Sequence, residues 1–163
     1  MSLASEIASL VEDALAVLRE KGETLSTAES LTAGSLSSTI TSIPGSSDVF
    51  LGGITAYQSS IKSSHLGVSE ELIAKHTVFS EEVAIAMAQG ALKSFGSTWA
   101  ISTTGVAGPG PSDGVAAGAV WVAIEGPVTQ AIELSLSGER DSVRNATTAS
   151  AMAAFARILR ARK

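Results

Sequence analysis

The sequence contains no cysteine among its 163 residues. Disulfide bonds, thiolate zinc sites and a cysteine nucleophile are therefore excluded. Charged residues make up only 17% of the chain, and the formal net charge is −5. Nucleic acid is not expected as a partner, because phosphate backbones are bound by an excess of basic side chains. A small anionic ligand remains compatible, since a few arginines or a helix N-terminus suffice for one phosphate.

Histidines and long apolar runs are also scarce. His65 and His76 are the two histidines of the sequence, and their number and spacing favour neither a metal site nor a Ser-His-Asp triad. No GxxxxGK[ST] loop is present, which excludes ordinary P-loop chemistry. Residues 1–18 have no basic start and no long apolar run, so they resemble neither a signal peptide nor a membrane anchor. We expect a cytoplasmic protein with no membrane partner.

Apolar residues are abundant, at 45%, although aromatics account for only 4%. This composition is sufficient for a sizeable core, and the length favours a single domain over residues 1–163. The predicted order is helix 3–18, strand 24–28, turn and helix 30–41, strand 50–57, helices 59–65, 69–76 and 80–96, strand 99–103, strands 119–125 and 130–136, and a final helix that begins within residues 137–141. This order predicts an α/β fold whose mixed sheet is covered by helices on both faces.

The stretch that joins the first strand to the second helix is rich in small polar residues. It places Ser30 at a turn, where a hydroxyl and the N–H groups of a helix start can meet a ligand. On local sequence alone, a helix N-cap is the commoner interpretation of such a serine. Both interpretations are open at this point.

Polar residues also follow two other predicted strands, at residues 57–62 and 103–110. Ligands of open α/β sheets lie beyond the carboxyl ends of the strands, and Arg140 and Arg144 could close the same crevice. Together these stretches provide a hydroxyl, an amine at Lys62, a phenol at Tyr57 and guanidinium groups, a set that suits hydrolysis of an acyl compound. Lys62 can act as a base only if desolvation or a nearby positive charge, such as that of Arg140 or Arg144, lowers its pKa.

Several short motifs occur in an order that resembles the CinA C-terminal domain family. Residues 28–34 (AESLTAG) are similar to the family signature AES-C-TGG. The resemblance continues through residues 44–47 (PGSS), 50–53 (FLGG), 57–62 (YQSSIK), 66–68 (LGV), 78–84 (VFSEEVA), 105–109 (GVAGP) and 138–140 (GER), with Arg144.

The resemblance implies a stand-alone nicotinamide-nucleotide amidase. Such enzymes convert nicotinamide mononucleotide to nicotinate mononucleotide and ammonia. They have a three-layer α/β/α sandwich, are commonly homodimers, and need no metal or other cofactor. The matching positions imply Ser30 as nucleophile and Lys62 as base, with Tyr57 beside them. The residues expected to contact the nucleotide are Thr32, Gly34, Thr104, Gly105, Gly108, Arg140 and Arg144.

Within these motifs the chain differs from the family at a few positions. Leu31 stands where cysteine is usual, Ala33 where glycine is usual, and Ser60 where glutamate is usual. If the backbone at Ala33 adopts a positive φ, its methyl group costs stability. Two alternatives to the nucleotide amidase are therefore open: a non-catalytic nucleotide-binding module of the same fold, and an enzyme that acts on another amide.

Overall fold

The computed structural model describes residues 1–162. This part of the chain forms six helices and five strands, with a single 3-10 turn at Ser46–Asp48. The helices are α1 (Leu3–Lys21), α2 (Ser35–Thr41), α3 (Ser59–Leu66), α4 (Glu70–His76), α5 (Glu81–Phe95) and α6 (Arg140–Ala161). The strands are β1 (Leu25–Glu29), β2 (Phe50–Thr55), β3 (Trp99–Gly105), β4 (Ala119–Glu125) and β5 (Gln130–Ser135). None of the helices among residues 1–162 has the length and apolarity needed to cross a membrane.

The strands form one mixed sheet in the order β2-β1-β3-β4-β5. β1 is parallel to both of its neighbours, whereas β4 is antiparallel to β3 and forms a hairpin with β5. Glu29, the last residue of β1, pairs with Thr55 on one side and Thr103 on the other. The chain segments that follow β1 and β2 therefore emerge next to each other and beside the end of β3.

Helices cover both faces of the sheet, which gives the three-layer α/β/α sandwich that the sequence predicts. Residues of α1, α2 and α6 pack on one face against large strand side chains such as Ile101, Val122 and Ile124. Residues of α3 and α5 pack on the other face against small ones, Ala28, Ala100 and Ala123. Small side chains let a helix lie close to the sheet, which accounts for a substantial core in a chain with few aromatics.

The predicted elements are confirmed, with differences of a few residues at their ends. Ser69 and Ser80 cap α4 and α5, because their hydroxyls accept the N–H groups of Leu72 and Val83. Strand β3 extends to Gly105 rather than ending at residue 103, because its last residues pair with β4. Such pairing partners are distant in sequence and are invisible to a local pattern.

Gly90 of α5 lies against the last residue of α3. A Cβ atom at this position would overlap the backbone carbonyl of Leu66. We expect Gly90→Ala to lower the free energy of unfolding by about 1–3 kcal/mol, as overpacking does, even though alanine favours helices more than glycine does. Urea denaturation measures the change. Ser94→Ala on the exposed face of the same helix is the control, with an expected change within about 0.5 kcal/mol; increased stability of Gly90→Ala would contradict the close contact.

Candidate active site

Ser30 lies in a buried turn, and the interpretation of this residue as a helix N-cap is wrong. The turn of residues 31–34 separates it from α2, whose N-cap is Gly34. Ser30 is 4% exposed, and its N–H donates to the carbonyl of Thr103 at 3.0 Å. Its hydroxyl instead meets the amine of Lys62, with 2.8 Å between Oγ and Nζ.

Glu29 caps α2 in place of Ser30. Its carboxylate is buried and accepts the backbone N–H groups of Leu36 at 2.8 Å and Ser37 at 3.0 Å. The hydroxyl of Ser37 donates to the same carboxylate at 2.7 Å. These bonds satisfy otherwise unpaired donors of the first helical turn and suit its positive dipole end. They also tie the end of β1 to α2 on either side of the turn that carries Ser30.

Lys62 is the buried amine of the site. It lies on α3 with 1% of its surface exposed. Besides Ser30, its Nζ donates to the carbonyls of Ala56 at 2.8 Å and Tyr57 at 2.9 Å. Desolvation by burial lowers the pKa of Lys62 to about 8, because an apolar environment disfavours the charged amine. Desolvation is thus the cause of the lowered pKa, and no positive charge from Arg140 or Arg144 is among its causes.

The three contacts of Lys62 also orient its lone pair. A neutral amine has two hydrogens, which can remain on the carbonyls of Ala56 and Tyr57. The lone pair then points toward the third partner, Ser30 Oγ, which lies within the range for proton transfer. The arrangement can therefore remove the proton of the Ser30 hydroxyl and activate it as a nucleophile.

The side chain of Tyr57 faces Arg140 rather than Lys62. The Tyr57 hydroxyl accepts from Arg140 Nη2 at 2.9 Å, and Arg140 Nη1 donates to the carbonyl of Gly108 at 2.7 Å. Arg140 thus joins the segment after β2 to the loop after β3. In this structure the contribution of Tyr57 to the buried amine comes from its main-chain carbonyl.

A cleft of about 260 Å³ opens beside Ser30. Five of the predicted site residues border it: Ser30, Tyr57, Gly105, Gly108 and Arg140. Apolar side chains complete the wall, namely Leu31, Phe79, Val106 and Ala107. Among residues 1–162, the backbone N–H groups of Leu31, Ala107, Gly108 and Gly110 donate to no protein acceptor. Free backbone donors beside a hydroxyl and a guanidinium suit a ligand that carries negative charge.

Four predicted substrate contacts do not border this cleft: Thr32, Gly34, Thr104 and Arg144. The hydroxyl of Thr104 donates to the carbonyl of Val78 at 2.9 Å, because successive side chains of a strand point to opposite faces of the sheet. Thr32 bonds to the hydroxyl of Thr103 at 2.8 Å.

Phe79 and Thr103 contribute to the site but were not singled out as site residues from the sequence. Phe79 lines the cleft, and Thr103 holds both Ser30 and Thr32. Phe79 belongs to one of the motifs that carry the family resemblance, and this motif was the sequence feature from which its place in the site could have been predicted. Residues 1–162 contain no group of three or more histidine, aspartate or glutamate side chains that could hold a metal ion.

Comparison with known proteins identifies the family. The profile of the CinA C-terminal domain matches residues 7–159. The chain belongs to the CinA C-terminal domain family. A CinA-like protein of Myxococcus xanthus is 43% identical over 135 residues, which is 80% of this chain and 32% of the relative. A putative competence-damage inducible protein of Halalkalibacterium halodurans is 43% identical over 141 residues, covering 85% of this chain and 34% of that protein. The chain thus spans about a third of the length of these curated relatives.

Solved structures of the family share the fold over nearly the whole chain. A CinA superfamily protein from Klebsiella pneumoniae superposes with a TM-score of 0.90 at 29% identity, over 94% of this chain and 97% of its own. The competence/damage inducible protein CihA from Agrobacterium tumefaciens gives a TM-score of 0.87 at 31% identity, over 91% of this chain and 92% of its own. The α/β/α architecture of this chain is therefore that of CinA-family structures.

The positions at which this chain differs from the family signature have different structural consequences. Leu31 is buried and borders the cleft directly after Ser30. Ser60 is exposed on α3 and does not border the cleft. Ala33 has a φ of 46°, in the left-handed region. The condition under which its methyl group costs stability is therefore met.

We expect Ala33→Gly to stabilise the protein by up to about 1.5 kcal/mol. A left-handed alanine costs about 1–2 kcal/mol, from which the greater backbone entropy of glycine in the unfolded chain removes about 0.5–1 kcal/mol. Urea denaturation of the two proteins gives the difference. Ala153→Gly on the exposed face of α6 is the control and is expected to lose about 1 kcal/mol. A loss of similar size in Ala33→Gly would show that the backbone there is unstrained.

Proposed function

We propose that this protein hydrolyses the amide of nicotinamide mononucleotide to give nicotinate mononucleotide and ammonia. The observation that carries the proposal is the 2.8 Å contact between the Ser30 hydroxyl and the buried amine of Lys62 beside an open cleft. Family membership supports the same activity, because both residues stand at the positions that match the nucleophile and base of nicotinamide-nucleotide amidases. A cytoplasmic homodimer belongs to this proposal on the resemblance alone.

Lys62 carries each proton that is transferred in the proposed reaction. Neutral Lys62 accepts the proton of Ser30 as Oγ bonds to the amide carbon of the substrate. The Lys62 ammonium then donates a proton to the leaving nitrogen, the C–N bond breaks, and ammonia departs from an acyl-serine. Water, deprotonated by Lys62, attacks this ester, and Ser30 recovers its proton as nicotinate mononucleotide is released.

Backbone N–H groups provide the stabilisation of the tetrahedral oxyanion in this proposal. The N–H of Leu31, directly after the nucleophile, donates to no acceptor within residues 1–162 and belongs to a cleft-lining residue. In many hydrolases the residue after the nucleophile provides such a donor. One donor of this kind typically contributes about 10²–10³ in rate.

The cleft also contains groups suited to the pyridine ring and to the phosphate of the nucleotide. Leu31, Phe79 and Val106 form an apolar wall against which a flat pyridine ring can pack. Arg140 and the free N–H groups of Gly108 and Gly110 lie in the same cleft. We assign the phosphate to this group of donors, since guanidinium and backbone N–H groups bind phosphate oxygens well.

Release of ammonia from nicotinamide mononucleotide tests the proposal. We expect metal-free wild-type protein to release it, and Ser30→Ala and Lys62→Met to lose at least about 10³-fold in kcat/KM because the nucleophile or its base is missing. Lys75→Met, at an exposed lysine of α4, is the control for loss of an amine and is expected to retain activity.

Two results of this assay would count against the proposal. Full activity of Ser30→Ala would exclude this residue as the nucleophile. Nucleotide binding by the wild-type protein, seen as a thermal shift without ammonia release, would favour the non-catalytic binding module.

The activity should depend on pH through Lys62. The active form is the neutral amine, whose pKa is about 8 in the folded protein. We therefore expect kcat/KM to rise about tenfold per pH unit below this value and to level off above it. Initial rates of ammonia release between pH 6 and pH 9.5 measure the profile. A rate that is constant or falls as the pH rises toward 8 would be inconsistent with a lysine base.

A further inference from the structure

Arg144 of α6 contacts the turn that follows Ser30 and does not border the cleft. It lies one helical turn after Arg140 on α6, and its Nε donates to the carbonyl of Leu31 at 2.9 Å. Its side chain is two-thirds buried, with 33% of its surface exposed. Because Arg144 does not border the cleft, its contact with the site in this structure is through the backbone of the residue after Ser30.

A second bond from α6 holds the same segment. The hydroxyl of Thr148 donates to the hydroxyl of Ser35 at 3.2 Å, at the first residue of α2. Leu31 and Ser35 lie at the two ends of the segment that follows Ser30. Thus α6 fixes both ends of this segment, whereas the segment 31–34 itself makes few bonds to the sheet.

We propose that Arg144 is a positioning residue for the reaction of Ser30, and that it acts through the carbonyl of Leu31. The bond fixes the plane of the Leu31–Thr32 peptide and with it the backbone angle of Leu31. The N–H of Leu31, which the proposed function assigns to the oxyanion, lies on the other side of that backbone angle, so its orientation depends on the bond from Arg144. This inference rests on the proposed function for the role of those donors.

The donor concerned is the N–H of Leu31, which borders the cleft and donates to no protein acceptor among residues 1–162. Without Arg144, the peptide that follows this donor loses its bond to α6. Loss of Arg144 therefore weakens oxyanion stabilisation and leaves the ligand groups of the cleft in place.

A fluorophosphonate probe tests this role without requiring a nucleotide. Ser30 Oγ forms a bond to phosphorus, the P–F bond breaks, fluoride leaves, and the serine proton passes to Lys62. The phosphoryl oxygen takes the position of the oxyanion. The readouts are the maximal labelling rate of Ser30, the dissociation constant of nicotinate mononucleotide, and the melting temperature.

We expect Arg144→Gln to slow maximal labelling by on the order of tenfold, a fraction of the effect of a whole oxyanion donor. Arg144→Lys, which keeps a charged donor, should recover part of this loss. The dissociation constant of nicotinate mononucleotide should change less than about twofold in both, since the ligand groups are intact. Arg157→Gln, on the exposed face of the same helix, should label at the wild-type rate.

Several outcomes would overturn the proposal. The first is that Arg144→Gln is labelled at the wild-type rate, and the second is that the glutamine and lysine variants lose labelling rate equally. The third is that nicotinate mononucleotide binds more weakly while the labelling rate is unchanged. The fourth is that Ser30 of the wild-type protein is not labelled. Failure of both Arg144→Gln and Arg144→Met to fold would assign the residue a structural role and overturn it as well. Labelling of the wild-type protein without ammonia release would reject the proposed substrate instead, and the labelling rates of the variants would still decide the role of Arg144.

Discussion

The contact between the buried amine of Lys62 and the hydroxyl of Ser30 is the interaction on which the rest of the site depends. An amine with 1% exposure needs acceptors for its hydrogens, and the carbonyls of Ala56 and Tyr57 provide two of them. These carbonyls are available because β2 ends at Thr55. Burial then lowers the pKa of Lys62 to about 8, which makes a lysine usable as a base near neutral pH.

The turn that carries Ser30 is held from three directions. Glu29 fastens α2 to the end of β1, Thr103 holds the turn from the neighbouring strand, and Arg144 holds it from α6. These partners lie far apart in sequence and are brought together by the parallel pairing of β1 with β3 and by the packing of α6. A nucleophile held in one orientation requires such contacts from other elements, because short turns are otherwise mobile.

Much of the fold was predictable from local patterns. The serine caps of α4 and α5, the end of α1 at Gly22, and the hairpin of β4 and β5 follow from short-range chemistry. The pairing of Ser30 with Lys62 was expected from family motifs. The cap of α2 could not be predicted in the same way: a glutamate seven and eight residues before its partners forms it, outside the usual spacing of a serine cap.

The sequence by itself determined the order of the elements, the family, and the residues able to act as nucleophile and base. Tertiary structure decided which polar residues face the cleft. Thr104 and Arg144 were predicted contacts of the nucleotide, yet they bond to the carbonyls of Val78 and Leu31 and do not border the cleft. The physical reason is that side-chain direction depends on strand length, pairing and helix packing. Tertiary structure also decided between the two local interpretations of Ser30, because the turn places its hydroxyl against Lys62 and leaves the N-cap of α2 to Gly34.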